Sequence, residues 1–293
     1  MSDVSNSFSA WETLPEDEPP LCIAVRRPES PPRHCEAVNR FDARDEWPEC
    51  FSIGTIRDQS SCGSCWAVSA AEAMSDRLCI QSGGRIKVEI SETDILACCP
   101  RPLCGLGCNG GWSFESWNFM VTHGVCTGGK YRQKGVCKPY PFHPCGFKPN
   151  QTYYGDCPGR LWATPKCTDF CNRGYVKPYE EDKYYATSAY VVANDEKTIR
   201  KEIMKYGPVQ AVFYTYEDFG FYDGGIYVQT AGQETGAHAV KIIGWGEEKG
   251  VKYWLIANSW NFVWGEKGYF RMIRGINNCS IEEMVYGGMM KID

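Results

Sequence analysis

Seventeen cysteines in 293 residues restrict this chain more than any other feature. Cysteines at that density persist where disulfides are stable or where metal ions hold the thiolates. The metal alternative needs clustered histidines or paired Cys-x-x-Cys spacings, and the chain has four histidines. Cys62 and Cys65 form a lone Cys-x-x-Cys, and Cys98 and Cys99 are adjacent, a poor spacing for tetrahedral zinc. The expectation is a disulfide-held protein of an oxidising compartment, with no metal and no cofactor. The odd count fits one thiol kept free for chemistry.

The net charge of -5, without a basic stripe, argues against nucleic acid as a partner. No run approaches the roughly 20 apolar residues that span a bilayer, so no membrane partner is expected either. The length is enough for a large core in one or two domains.

Residues 1–36 carry six prolines and many charges without sustained periodicity, and read as a disordered leader or a remnant of a propeptide. They lack the basic start and apolar stretch of a signal peptide, which conflicts with the cysteine count; either the true N-terminus differs or the export signal has been removed. Helical spacing of Ala67, Ala70, Ala71, Met74 and Leu78 predicts a buried helix with Ser64 at its N-cap. A strand-like piece, Arg85 to Ile90, follows. Then come a short helix opened by Ser91 with Asp94 three residues on, and a helix from Ser113 to His123 stopped by Gly124. Residues 125–185 are rich in Gly, Pro, Tyr and Cys and predict a loop region held by disulfides. A helix from about Asp195 to Tyr206 precedes strands around 209–214, 238–243 and 253–257. The fold class is therefore α+β, helical first and β-rich second.

The predicted helix places Cys65 in its first turn, where unpaired amides and the positive end of the dipole favour an anion, so the thiol is expected to ionise more easily than a free one. The plain alternative is one more buried or bonded cysteine. Cys62-Gly63-Ser64-Cys65-Trp66, however, is the local signature of papain and cathepsin proteases. From about Phe41 to Asp293 the chain resembles that family of cysteine proteases, and most closely its cathepsin B group.

The resemblance implies a two-lobed papain-like fold: a helical lobe over about 48–185, a β-barrel-like lobe over about 186–287, and the active-site cleft between them, all within a peptidase domain of 37–293. Of the histidines, only His238 lies in an apolar strand-like run; His34 falls in the leader, His123 at a helix end and His143 in the loop region. Taken alone, a histidine in such a strand is more often a hydrogen-bonded core residue. Gly236-Ala237-His238-Ala239 matches the motif of the family's catalytic histidine, Asn258-Ser259-Trp260 that of its orienting asparagine, and Gln59 its oxyanion donor. Ser60 stands where that family usually has glycine and is expected to be tolerated with a slight shift of the Gln59 loop. His238 and Asn258 follow Cys65 by 173 and 193 residues, against about 130 to 150 in the family. The excess implies an insertion, similar to the occluding loop of cathepsin B, at about 137–171.

The implied reaction is acyl transfer: Cys65 attacks a peptide carbonyl and His238 protonates the leaving amine, with activity declining at high pH as the imidazolium deprotonates and in acid as the thiolate protonates. Gly110, Gly111, Trp264, Ala237 and Met284 are the implied substrate-binding residues. In the cathepsin B group, adjacent histidines after a Pro-Cys pair grip the substrate's C-terminal carboxylate, whereas here Pro144-Cys145 is followed by Gly146-Phe147-Lys148. Internal cleavage is expected over dipeptide trimming, with Lys148 and His143 as the remaining groups able to draw a carboxylate. Met284 stands where that group carries a glutamate in its main specificity pocket, which predicts a preference for apolar side chains unless a one-residue shift brings Glu283 there. The stretch Tyr253 to Glu266 resembles a motif of blood-feeding worms' enzymes, with Val263 in place of its aspartate.

The disulfides implied by the family pattern are Cys50–Cys79, Cys62–Cys108, Cys98–Cys167, Cys99–Cys104, Cys137–Cys171 and Cys145–Cys157; spacing alone does not choose among so many connectivities. Cys22, Cys35, Cys126 and Cys279 are unassigned. Asn150 and Asn278 begin glycosylation sequons. The expected partners are peptide or protein substrates and cystatin-type inhibitors of a monomeric, lysosomal or secreted enzyme. The rival readings are a dipeptidyl carboxypeptidase, a catalytically silent binding protein that uses the same cleft, and an intracellular protein.

Overall fold

After the one-turn α1 (Ala43–Glu46), the helix that the spacing predicts, α2 (Cys65–Gln81), runs through the middle of the molecule and is buried on every side from Trp66 to Cys79. The computed structural model describes residues 39–292, and the leader, with Cys22, Cys35 and His34, lies outside the described residues. A helix buried all round must satisfy its polar side chains internally. Ser75 does so within the helix, donating to Ala71 O, while its Oγ accepts from Ile90 N–H. Arg77 reaches Glu202 (2.8 Å) and the carbonyls of Pro208 and Gly288. Asp76 pairs with Lys241 at 2.7 Å, both fully buried.

Around α2 stand two cores. Trp66, Met74, Leu78, Ile95, Trp117 and Met120 pack with α3 (Glu92–Cys98) and α4 (Ser113–Thr122) into the helical one. Val209, Phe213, Ile242, Trp245, Trp254 and Phe270 form the other, on a sheet that α5 (Glu196–Tyr206) covers with Ile199 and Ile203. That sheet has the order β2-β8-β3-β5-β6-β7-β4, with β1 paired to β5. Its strands are β1 (Phe41–Asp42), β2 (Ala186–Val191), β3 (Val209–Tyr216), β4 (Ile226–Tyr227), β5 (Glu234–Glu248), β6 (Val251–Ala257), β7 (Tyr269–Ile273) and β8 (Met284–Met290). β5 is antiparallel to β3 and β6, with Phe213 opposite His238 and Ala257 opposite Lys241. The helix stops are chemical: Gly124 and Gly207 have φ of 69° and 103°, open to glycine at little cost. Ser91 and Asp195 cap α3 and α5 with their side chains.

Two readings change. Arg85 to Ile90 is not a strand; Ile86 and Ile90 give their N–H groups to the hydroxyls of Ser82 and Ser75, and only Ile90 bridges to Thr127. Ser64 occupies the N-cap position without capping: its hydroxyl instead lies 2.7 Å from that of Tyr140, which donates to Gln59 O.

Residues 123–179 form few regular elements. They are held by the disulfides Cys98–Cys167, Cys137–Cys171 and Cys145–Cys157, and Cys50–Cys79, Cys62–Cys108 and Cys99–Cys104 complete the bonded pairs among the described residues. Cys126 is a buried free thiol beside Cys137 and Asp182, but Cys137 is already bonded to Cys171.

Glu72, one turn before Asp76 on α2, is buried with neither carboxylate oxygen bonded to a partner among the described residues. The cations near it are engaged elsewhere: Lys241 with Asp76, Arg57 with Glu92 and Glu89. Burial therefore raises its pKa from 4.5 to about 7, against the pull of Lys241 and Arg57 and with the push of Asp76 and Glu92. A raised folded-state pKa stabilises fully below about pH 4.5, and that stabilisation is lost as pH rises through about 7. Urea unfolding should accordingly give a protein roughly 2 to 4 kcal/mol less stable at pH 7.5 than at pH 4.5 through this group. Glu72→Gln should remove most of that slope; parallel pH profiles for the two proteins would refute the assignment.

Candidate active site

Cys65 opens α2 and is one of three unbonded cysteines among the described residues, with Cys126 and Cys279. The nearby backbone amides of Ala239, Trp66 and Cys65 itself favour its anion. Ala239 lies on β5 one residue beyond His238. Burial nonetheless outweighs these donors and pushes the Cys65 thiol up, contrary to the easier ionisation expected from the helix terminus alone.

His238 is buried on β5. Its Nε2 donates to Asn258 Oδ1 at 2.8 Å, since an amide oxygen can only accept, and this leaves Nδ1 as the nitrogen without that bond. Ser259 N–H donates to the same Oδ1 (2.8 Å), which fixes the amide's orientation. The Trp260 ring stacks on the imidazole at 4.7 Å and Phe213 meets it edge-on at 5.9 Å. This dry setting lowers the His238 pKa from 6.5 to about 4, burial outweighing the Asn258 bond.

Gln59 is bonded at four points. Its N–H donates to Ser259 O and its carbonyl accepts from Tyr140 Oη; Oε1 accepts from Ser259 Oγ at 2.6 Å, and Nε2 donates to Cys62 O at 2.9 Å. An amide nitrogen has two hydrogens, so one remains available. Ser60 has φ of 55°, in the left-handed region that glycine adopts most readily.

Of the residues expected to bind substrate, Gly110 (φ 104°) spends its N–H on Gly107 O and its carbonyl on Leu106 N–H. A side chain on Gly111 would strike the Trp66 ring, an ideal Cβ lying 2.4 Å from it. Ala237 is exposed on β5 opposite Tyr214, and Trp264 packs against Trp260 at 5.1 Å and Tyr222 at 5.4 Å. Met284 begins β8, half-buried, opposite Val212 of β3. Glu283 points outward to Asn277 Nδ2 (2.5 Å), and Glu282 is buried, accepting from Trp254 Nε1 and Gly275 N–H. Lys148 faces Asp58 at 3.8 Å instead of standing free. His143 sits among Tyr131, Tyr154 and Trp162, its Nδ1 donating to Pro144 O.

Residues that hold this site but carry no motif are Gln210, Asp76 and Lys241. Gln210 on β3 donates through Nε2 to Trp66 O (2.9 Å) and Ser69 Oγ (2.8 Å) and accepts from Trp117 Nε1. The signal was present as a polar residue inside an apolar strand, Val209-Gln210-Ala211-Val212-Phe213, and again as Lys241 in Ala239-Val240-Lys241-Ile242-Ile243.

Comparison with known proteins identifies the family. The family model described as papain family cysteine protease matches residues 37–289. Cathepsin B-like cysteine proteinase 6 of Caenorhabditis elegans is 51% identical over 254 residues, covering 86% of this chain and 66% of that protein's length. Cathepsin B-like cysteine proteinase 2 of Haemonchus contortus is 51% identical over 262 residues, covering 89% of this chain and 76% of that one. Among solved structures, procathepsin B S9 from Trypanosoma congolense superposes with a TM-score of 0.75 at 35% identity, covering 88% of this chain and 79% of its own. The bromelain protease of Ananas comosus, in complex with the E64 inhibitor, does so at 0.62 and 25%, covering 87% of this chain and 100% of its own. With its α+β two-lobed fold and a sequence matched over residues 37–289, the chain belongs to the papain family of cysteine proteases, in the cathepsin B-like group.

Proposed function

We propose that the protein hydrolyses peptide bonds with Cys65 as nucleophile, His238 as acid and base, Asn258 as its orienting partner and Gln59 as oxyanion donor. The observation that carries this is the His238 Nε2–Asn258 Oδ1 bond, which leaves Nδ1 as the ring nitrogen able to take the thiol proton. Burial disfavours each ion separately, but moving the proton from Sγ to Nδ1 makes both charges together, and each then stabilises the other. Sulfur attacks the carbonyl carbon and the C–S bond forms. The oxygen takes the negative charge, facing Cys65 N–H and the free Gln59 Nε2–H. The C–N bond breaks as His238 gives its proton to the amine. Water, losing a proton to His238, then attacks the thioester and releases the acid and the thiol.

Substrate backbone pairing falls to Gly111, because Gly110 uses its own groups within the loop. Trp264 and Ala237 flank the leaving side. Met284, with Glu283 turned to Asn277, favours an apolar residue second before the cleaved bond. Lys148 is paired with Asp58 and His143 is enclosed by aromatics, which favours internal cleavage over capture of a C-terminal carboxylate. The six disulfides support a lysosomal or secreted setting, and no helix among the described residues is long and apolar enough to cross a membrane. Cystatin-type inhibitors and a monomeric state complete the proposal.

Cys65→Ser should abolish hydrolysis, and Gln59→Ala should lower kcat by about 10²- to 10³-fold. The acid limb of kcat/KM should centre near pH 4, because below it His238 already carries a proton and cannot take the thiol's. Digestion of a peptide library at pH 5 to 7 should yield internal fragments, and predominant dipeptide release would overturn that specificity. Met284→Glu should raise cleavage after arginine-containing pairs about tenfold relative to leucine, read from kcat/KM on matched substrates.

A further inference from the structure

The insertion meets the catalytic lobe through a residue that the reaction scheme leaves unused. Ser60 follows the oxyanion donor directly and holds a left-handed backbone without being glycine. Such a conformation persists in a larger residue when its surroundings over-determine it. Three contacts do so here. Ser60 N–H donates to Asp58 Oδ1 at 2.8 Å, Ser60 Oγ accepts from Trp162 Nε1 at 3.0 Å, and the same Oγ lies 3.3 Å from Cys145 Sγ in the Cys145–Cys157 disulfide. One residue on, Trp162 N–H donates to Ser61 O at 2.8 Å and Ser61 Oγ donates to Arg160 O at 3.2 Å.

Trp162 is itself fixed. Its ring stacks on Phe142 at 5.6 Å, nearly parallel at 4°, and meets His143 edge-on at 5.5 Å. Phe142 in turn packs edge-on against Tyr140, whose hydroxyl donates to Gln59 O. Both arms of the insertion therefore close on the two-residue segment Gln59-Ser60, one through Tyr140 and the other through Trp162. Ser259 holds the Gln59 side chain from the opposite lobe.

We propose that the Ser60 hydroxyl, bonded to Trp162, is a positioning group that keeps the Gln59 amide aimed at the developing oxyanion, making the insertion a part of the catalytic support as well as a wall of the cleft. The inference rests on the peptidase reading above. Ser60 touches no reacting atom; it fixes the peptide unit from which Gln59 projects. An oxyanion donor acts only when held within a few tenths of an ångström of its working position, so loosening this unit lowers the rate of acylation and leaves ground-state binding almost unchanged.

The test compares wild type with Ser60→Ala, Ser60→Gly, Trp162→Phe and the Ser60→Ala/Trp162→Phe double variant, each titrated with an epoxide-type thiol inhibitor so that rates refer to active sites. Ser60→Gly takes the left-handed backbone without strain and lacks the hydroxyl, so it separates the bond from the backbone and keeps the test alive if Ser60→Ala misfolds. The expected result is a kcat about three- to tenfold lower in each single variant, with KM within twofold and the double variant no slower than the slower single one. A peptide aldehyde, which adds to the sulfur and puts its oxygen at the oxyanion position, should bind weaker by the same factor. Unchanged kcat in titrated Ser60→Gly and Trp162→Phe, a change confined to KM, or multiplicative losses in the double variant would overturn the positioning role. Failure of the epoxide to modify Cys65 in wild type would overturn the peptidase reading together with it.

Discussion

The ion pair between Lys241 and Asp76 ties the helix that begins at Cys65 to the strand that carries His238. Both groups are fully buried at 2.7 Å. Asp76 lies on the helix that begins at Cys65, and Lys241 three residues beyond His238 on β5. An uncompensated charge there would cost on the order of 3 to 5 kcal/mol, so the helix cannot slide along the strand without losing the pair. Gln210 adds a neutral strut from β3 to the first turn of α2, ending on Trp66 O and Ser69 Oγ. The sulfur and the imidazole come from chain segments far apart in sequence, and these two struts join rigid elements that carry them.

Burial is the dominant electrostatic fact of the site. It raises the Cys65 thiol, lowers His238 to about 4 and leaves Glu72 near 7. Helix-terminal amides work against it at Cys65 and do not prevail. In the proposed reaction a thiol and an imidazole that each resist charge singly gain most from becoming charged as a pair, because dryness strengthens their mutual attraction. Trp260 and Phe213 maintain that dryness around the ring.

Much of this was legible in the sequence because local chemistry and global fold agree at the relevant positions. The spacing of Ala67, Ala70, Met74 and Leu78 announces α2, and Asp195 and Gly207 bound α5 by cap and stop. Arg85 to Ile90 misled because alternation alone says nothing of a partner strand, and serine hydroxyls take its amides instead. Ser64 looked like a cap because sequence cannot show that Tyr140, 76 residues on, claims its hydroxyl. Lys148 looked free for the same reason, since Asp58 lies 90 residues earlier. Motifs mark the groups that touch the chemistry, whereas the side chains that hold them, Gln210 and Lys241 among them, differ from their apolar neighbours only by being polar.

The two cores do not divide the chain at one point. Phe41, at the start of the described chain, stacks on Trp245 in the sheet core at 4.9 Å, and Met290, near its end, belongs to the helical core. Each half thus borrows a terminal segment from beyond the other, and neither core is complete until the chain is present through β8. Contacts of such sequence separation slow folding and leave apolar surface uncovered for longer, so during synthesis the nascent helical half depends on whatever shields it until its last strand arrives.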